Sequence, residues 1–321
     1  MFEDKTVLIL GAGASRPYGL PTSAELRDLL LGDVRAFEVL RKLEFSVIND
    51  YEKRLVECGF RHPNQLKDFR ETFFGAQRVS IDAFIGGRAE ADNAGSFATF
   101  ARNAIAHTVL FCEREEKLDG DWYQWLLEFL ISRGKDFPRD ILSVVTFNYD
   151  RSLERYLLRA FQHSFALRED VAAEMVDRIE VVHVYGSAGP LPIPKLKVAG
   201  VPFGDLEYRE YAAKFISLVS PRSPPETQRR VRELIAEARR LIFVGFGFWR
   251  ENLDVLVDAE TAASWHNKRV FASCAGLPRS TQIEVDSRLG YVAGSERQPL
   301  INWGGENENA WQFVTKYSLN Y

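Results

Sequence analysis

The chain has 321 residues, which suits about two average domains or one large α/β domain, at roughly 150 residues per domain. Hydrophobic residues make up 46% and charged residues 27%, proportions that exclude a disordered, collagen-like or disulfide-scaffold protein. The formal charge of −4 gives no support to nucleic-acid binding through a general basic excess.

The cysteines and the apolar runs indicate in which cellular compartment the protein is expected. Cys58, Cys112 and Cys274 lie far apart and form no C-x-x-C pair, which predicts buried thiols, a reducing compartment and no metal site. The run at Thr6–Leu10 is too short for a signal peptide, and no stretch approaches the ~18 apolar residues of a membrane span. We therefore expect a cytoplasmic protein.

The first predicted element is a buried strand, Thr6–Leu10, followed by the glycine loop Gly11–Ser15. Thr22 and Glu25 then stand at capping-box spacing ahead of a helix. Glycines in such a loop let backbone N–H groups approach a phosphate, although a tight turn without ligand is the alternative. The dinucleotide fingerprint G-x-G-x-x-G needs glycine where Arg16 stands, which disfavours a nicotinamide-dependent dehydrogenase.

The rest of the chain predicts an α/β protein interrupted by helices. Residues 32–138 have helical periodicity and are read as a helical insertion. Further strands are predicted at 141–147, 179–185, 241–244 and 269–272, with helices at 152–161 and 226–240 between them. Strands alternating with helices indicate a Rossmann-like parallel sheet with helices on both faces. We expect a single domain over 1–321, with a ligand-binding core at 1–31 and 139–275 and a C-terminal extension at 276–321.

Polar residues follow the second and third predicted strands. In an open parallel sheet the carboxyl ends of the strands face the ligand crevice, so Asn148 and Asp150 should lie near the glycine loop. Alternatively, Asn148 turns the backbone and Asp150 caps the next helix. On the third strand, alternation places His183 and Tyr185 on one face, roughly 7 Å apart, with Tyr185 nearer the crevice. A histidine on a buried strand is more often a core residue than a catalytic one.

The fourth strand also ends in a glycine turn, which contains Gly245, Phe246 and Gly247 and is followed by Asn252. Basic residues cluster ahead of that strand, at 229–232 and 239–240. Such clusters contact DNA or a partner in some proteins, but more often they form the solvated face of a helix.

These motifs, in this order, resemble the SIR2-like superfamily. The sirtuin Gly-Ala-Gly-x-Ser loop and its Gly-Ile-Pro are similar to residues 11–15 and 19–21, and the Thr-Gln-Asn-Ile-Asp segment is similar to residues 146–150. The resemblance implies that the glycine loop holds the NAD pyrophosphate, that Asn148 orients the nicotinamide ribose or the attacking water, and that Asp150 contacts the carboxamide. The implied NAD-binding set is Gly11, Ala12, Gly13, Ala14, Ser15, Pro21, Thr22, Asn148, Asp150, Gly186, Ser187, Gly245, Phe246, Gly247 and Asn252.

Departures from the sirtuin pattern narrow the expected activity. The Asp-Phe-Arg of deacylases is replaced by Thr-Ser-Ala at 22–24, and the zinc module with its C-x-x-C pairs is missing. The family's Leu-His-Gly-Ser appears as Val-Tyr-Gly-Ser at 184–187, which places Tyr185 where the catalytic histidine is expected. A tyrosine with an ordinary pKa of ~10 is a poor general base, whereas histidine at ~6.5 is well matched, so His183 is the candidate base.

The resemblance is closest to bacterial SIR2-like proteins that hydrolyse NAD in antiphage defence. The predicted catalytic set is Asn148, Asp150, His183 and Tyr185. Asp82 resembles an acidic position in some of these proteins, but a helix cap is the simpler interpretation. The alternative function is an NAD or ADP-ribose binding module that acts with a partner protein, and a homo-oligomer or a partner is expected in either case.

Overall fold

The structure is a computed structural model. It describes residues 4–32, 45–58, 63–88, 94–134, 136–139, 141–193, 199–218, 223–258, 264–265, 268–292 and 301–318.

A parallel sheet forms the centre of the protein. Within the described residues it has six strands in the order β3-β2-β1-β4-β5-β6. The strands are β1 (Thr6–Leu10), β2 (Leu142–Thr146), β3 (Glu180–His183), β4 (Arg240–Val244), β5 (Arg269–Ala272) and β6 (Ile301–Trp303). Every neighbouring pair is parallel, so each return to the same end of the sheet requires a crossover connection. The predicted α/β Rossmann-like class is confirmed, while the short strand β6 was not predicted.

Helices connect the strands. The helices before β2 are α1 (Ala12–Ser15), α2 (Ser23–Leu31), α3 (Phe45–Val56), α4 (Pro63–Gly75), α5 (Ile81–Gly86), α6 (Ala94–Cys112) and α7 (Asp121–Ile131). Those after β2 are α8 (Ser152–Ser164), α9 (Glu169–Val176), α10 (Arg209–Ala212), α11 (Pro225–Glu237), α12 (Arg250–Leu256), α13 (Arg279–Val292) and α14 (Ala310–Ser318). The capping box predicted for α2 is present, with both the Thr22 and Glu25 side chains bonded to backbone N–H groups.

Strand β1 lies between β2 and β4 and is buried along its whole length. Burial on both faces explains why its sequence is apolar and β-branched without alternation. Leu10 pairs with Thr146 of β2 and with Val244 of β4, so the carboxyl ends of these three strands are level with each other. The loops that follow them therefore begin at one edge of the sheet.

The helices between α2 and β2 build an apolar core of their own that is continuous with the sheet. Rings of Phe69, Phe73, Phe84 and Phe100 pack there, with centroids 4.5 Å apart for Phe69 and Phe100 and 4.6 Å apart for Phe73 and Phe84. Edge-to-face and offset aromatic pairs of this kind contribute about 0.5–1.5 kcal/mol each beyond their buried area.

The thiols of Cys58, Cys112 and Cys274 are free and buried, as predicted. None of the described helices combines the length and apolar character needed to cross a membrane.

Candidate ligand site at the carboxyl ends of β1, β2 and β4

The glycine loop after β1 packs tightly against the turn after β4. A Cβ added to Gly11 would lie 2.4 Å from Gly245 O, and one added to Gly245 would lie 2.1 Å from Ala14 N. Gly245 also has a φ of +58°, which disfavours any residue with a side chain. Gly13 N donates to Gly245 O at 3.0 Å, so this amide closes the loop rather than facing outward. The glycines are thus required first by the close approach of two backbones.

Asn148, directly beyond β2, is fixed by its amide nitrogen. Nδ2 donates to Gly11 O at 3.0 Å and to Ser15 Oγ at 2.9 Å, which ties the loop after β2 to the loop after β1. The residue is only 7% exposed, and its Oδ1 atom has no hydrogen-bond partner in the part of the chain that the structure describes. Buried polar atoms are nearly always paired, so this acceptor is a specific position for a ligand or water donor.

A small cavity lies beside Asn148. It is just large enough to hold one water molecule. Its lining residues are Leu10, Ser15, Tyr123, Val144, Thr146, Asn148, Asp150, Leu153, Glu154 and Val181. The predicted juxtaposition of Asn148, Asp150 and the glycine loop is therefore present, although a pyridine ring enters only if the lining side chains move.

Asp150 contacts both the start of α8 and the cavity. Its Oδ1 accepts a hydrogen bond from Ser152 N at 3.1 Å at the start of α8, and the same side chain lines the cavity. Burial raises the pKa of this carboxyl, while hydrogen bonds with Ser152 and Ser15 act in the opposite direction. A carboxyl in this state both accepts and, when protonated, donates a hydrogen bond.

His183 is the last residue of β3, and its side chain contacts the backbone of Asn148. Its Nδ1 lies 2.9 Å from Asn148 O, and its Nε2 lies 2.8 Å from Glu154 Oε1 on α8. The expectation that His183 and Tyr185 share a strand face is wrong. The strand ends at His183, and a turn closed by the Gly186 N to His183 O hydrogen bond at 3.3 Å sends Tyr185 in another direction.

Tyr185 crosses from the β3 side of the crevice to the β4 side. Its hydroxyl donates to Asn252 Oδ1 of α12 at 2.7 Å, and its ring packs against Phe147 with centroids 5.5 Å apart. Phe147 in turn contacts Phe246 of the turn after β4 at 5.0 Å. Burial raises the pKa of the Tyr185 hydroxyl, so it remains protonated at neutral pH. A predicted catalytic residue, Tyr185, and a predicted NAD-binding residue, Asn252, are therefore bonded to each other across the crevice.

The other predicted ligand residues lie around this centre. Thr22 caps α2, with Pro21 immediately before it. Gly186 forms an isolated bridge with Ile216, and Ser187 Oγ accepts from Gly189 N at 3.2 Å. Gly247 is exposed at the turn after β4. The structure thus brings together Gly11–Ser15, Asn148 and Asp150, while Gly186 and Ser187 serve the loop beyond β3.

A buried ion pair supports the loops around the site. Arg151 and Glu113 are 2% and 0% exposed in their side chains, and the Glu113 carboxylate accepts from Arg151 N, Nε and Nη2. The same guanidinium donates to the carbonyls of Gly189 and Val201, and Gly204 N donates to Glu113 Oε2 at 3.2 Å. This pair joins the end of α6 to the Asp150 segment and to the loop at 199–204.

Sequence reasoning missed Glu154, Tyr123 and the Arg151–Glu113 pair. Its sequence spacing could have identified Glu154, because it lies one helical turn after Asp150 and so reaches the same end of α8. Asp82 is not a helix cap, since Ser80 is the N-cap of α5, and the Asp82 carboxylate instead accepts from the Tyr149 hydroxyl at 2.9 Å.

The basic residues of α11 are paired. Arg229, Arg230 and Arg232 form ion pairs with Glu233, Glu180 and Asp258 respectively. Arg240 is buried at the start of β4. These pairs leave little concentrated positive charge on this helix for a polyanion. Over the described ranges, no three His, Cys, Asp or Glu side chains are grouped so that they could hold a metal ion.

The strand order 3-2-1-4-5-6 defines a doubly wound α/β protein of the Rossmann-like class. Proteins of that class bind ligands at the point where the strand order reverses, here between β1 and β4. Within that class, residues 142–289 match the SIR2-like domain family. The match includes Asn148, Asp150, His183 and the turn at Gly245, while the glycine loop after β1 lies outside it. Proteins with SIR2-like domains bind and use NAD. No curated protein matches the chain.

Proposed function

We propose that this protein is an NAD+ glycohydrolase. In the reaction, the bond between C1′ of the ribose and N1 of nicotinamide breaks, and its electron pair leaves with neutral nicotinamide. Water supplies the hydroxyl group on C1′ and releases one proton, which gives ADP-ribose. The reaction passes through an oxocarbenium-like state with positive charge on the ribose.

The observation that carries the proposal is the unpartnered Oδ1 of Asn148 beside the carboxyl group of Asp150. Both hydrogens of Nδ2 are occupied by Gly11 O and Ser15 Oγ, so Oδ1 is held in one direction and accepts from a ribose hydroxyl or a water. Asp150 lines the same cavity and would stabilise positive charge that develops on the ribose. The match of residues 142–289 to SIR2-like domains supports NAD as the substrate.

The test is product analysis with full-length protein. We expect NAD+ to yield nicotinamide and ADP-ribose in equal amounts, measured by liquid chromatography. Asn148→Ala should lower the rate by about 100-fold, in the range found when a preorganised polar group is removed from an active site. Asn103→Ala is the control, because among the described residues the Asn103 amide bonds to Thr99 O within its own helix, α6. Equal rates for both variants would contradict the assignment of Asn148.

A second function, an NAD or ADP-ribose binding module without turnover, is favoured by the Tyr185–Asn252 hydrogen bond across the crevice. ADP-ribose at 100 times its Kd would then stabilise the native state by about 2.7 kcal/mol while NAD+ is not consumed. Thermal unfolding with and without ligand, combined with the product assay, separates the two functions.

We also propose a domain organisation and a biological role for the protein. We propose a ligand-binding core at 1–31 and 139–275, a helical insertion at 32–138 and a C-terminal extension at 276–321 that contributes β6. The resemblance to antiphage NAD hydrolases supports a regulated effector in the cytoplasm that acts as a homo-oligomer or with a partner protein.

A further inference from the structure

The contacts of the His183 ring determine how many protons His183 and Glu154 hold together. Nδ1 faces Asn148 O, and a backbone carbonyl only accepts, so Nδ1 carries a hydrogen. Nε2 faces Glu154 Oε1 at 2.8 Å. A second proton must lie on this line, because a nitrogen lone pair would otherwise face a carboxylate oxygen. Histidine and glutamate together therefore hold two protons and no net charge.

The charged neighbours favour this state. Asp150 is the other carboxyl that acts on His183, and Tyr123 adds a hydroxyl to the same cavity. Burial raises the pKa of Tyr123 well above its ordinary value, so it contributes no charge at neutral pH. Burial alone lowers the pKa of His183, but Glu154, the Asn148 carbonyl and Asp150 together raise it above its ordinary value.

Asn148 is held from two sides. The His183 ring fixes the backbone of Asn148 through its carbonyl, and the glycine loop fixes the side chain through Nδ2. The direction of the free Oδ1 depends on both contacts. Movement of the His183 ring would move this acceptor relative to the cavity.

We propose that the His183–Glu154 pair positions Asn148, so that His183 is a positioning residue and not the group that takes a proton from the attacking water. Both of its nitrogens are already engaged, which leaves neither for water. The catalytic consequence rests on the proposed NAD hydrolysis, whereas the proton-holding pair is a property of the protein without substrate.

The first experiment measures the pair directly. In full-length protein with ¹⁵N-labelled histidine, we expect His183 to show two protonated ring nitrogens at pH 7. Glu154→Gln should leave a neutral ring with its proton on Nδ1, because the new amide can donate to Nε2 while the Asn148 contact persists. Glu128→Gln, an exposed position on α7, is the control and should not alter the His183 signals. A neutral His183 ring in the wild type at pH 7 would overturn the proposal.

The second experiment separates positioning from base catalysis. His183→Ala and Glu154→Ala should weaken the binding of ADP-ribose, titrated calorimetrically, by about tenfold, the equivalent of one hydrogen bond, and lower kcat as well. We expect the wild type to lose activity at alkaline pH as the pair gives up a proton, and Glu154→Gln to retain most of the wild-type activity without that decline. Unchanged ADP-ribose affinity together with abolished kcat in His183→Ala would identify His183 as the base and refute the positioning role.

The two proposals fail in different ways. A wild-type protein that releases no nicotinamide from NAD+ refutes the proposed function, and the ¹⁵N spectra of wild type and Glu154→Gln still decide whether the pair exists. If His183→Ala does not fold, Glu154→Gln alone decides, because loss of its activity with a preserved fold contradicts the positioning role.

Discussion

Removing Glu113 should destabilise the protein strongly, because it leaves the Arg151 guanidinium buried without its counter-ion. Glu113 accepts from three nitrogen atoms of Arg151 and from Gly204 N. Burial raises the pKa of Glu113, and the charge and hydrogen bonds of Arg151 oppose that shift. The ion pair is thus the main compensation for placing this carboxylate in the interior.

Breaking a buried pair by deleting one partner costs about 3–5 kcal/mol, and we expect a value near 4 kcal/mol for Glu113→Ala. This is a large part of the roughly 5–15 kcal/mol that stabilises a typical domain. Replacing both partners with apolar residues, as in Glu113→Leu with Arg151→Met, should recover most of the loss, because neither charge then remains in the interior.

Urea unfolding followed by tryptophan fluorescence measures these differences. Glu115→Ala is the matched control, since Glu115 is 40% exposed and pairs with Arg155 and Arg159 at the surface. Such pairs contribute about 0–1 kcal/mol. A loss of less than about 1 kcal/mol for Glu113→Ala, equal to the control, would refute the reasoning, because the carboxylate would then be solvated rather than compensated by the arginine.

Three further predictions concern single residues. Burial lowers the pKa of His107 from 6.5 to about 4. The native state should therefore lose about 3 kcal/mol of stability as the pH falls from 6.5 to 4, because the unfolded chain takes up a proton that the native state excludes. Urea titrations at both pH values should show that His107→Gln removes this loss. Gly245→Ala should prevent folding or abolish ADP-ribose binding. Gly276→Ala is the control, because Gly276 also has a positive φ but no atom lies near its added Cβ, and it should lower the free energy of unfolding by only about 1–2 kcal/mol. Similar losses for both variants would contradict the close packing of Gly245. Tyr185→Phe removes the hydrogen bond to Asn252, which contributes about 0.5–1.5 kcal/mol. If that bond competes with the ligand, calorimetry should show about fivefold tighter binding of ADP-ribose. Weaker binding would instead identify the Tyr185 hydroxyl as a ligand contact.

Most of the sheet was predictable from apolar strand sequences, and β1, β2 and β4 are buried on both faces. Thr6–Leu10 and the strands near 142, 180, 241 and 269 carry continuous apolar or β-branched runs that end in glycine, asparagine or polar turns. β6 gave no such signal, since Ile301–Trp303 contains only three residues and its central asparagine is exposed. Strand order is also not a local property, because it depends on which backbones pair after the crossovers form.

The centre of the candidate site was predictable for a topological reason. Parallel strands bring their carboxyl ends to one edge, which is sufficient to place Gly11, Asn148 and Asp150 together. The direction of Tyr185 was not predictable, because strand alternation was assumed to continue past His183 when the chain turns there. Glu154 was missed because a single glutamate on an amphipathic helix normally faces solvent.

The central position of β1 has a consequence for how the protein folds. Its two neighbours are strands at 142–146 and 240–244, far along the chain, so β1 cannot complete its hydrogen bonds until both have been synthesised. Closing such long loops is entropically costly, and folds dominated by distant contacts form slowly. We therefore expect the glycine loop to be one of the last parts of the core to become ordered during synthesis, and chaperone dependence should fall once residue 244 has left the ribosome.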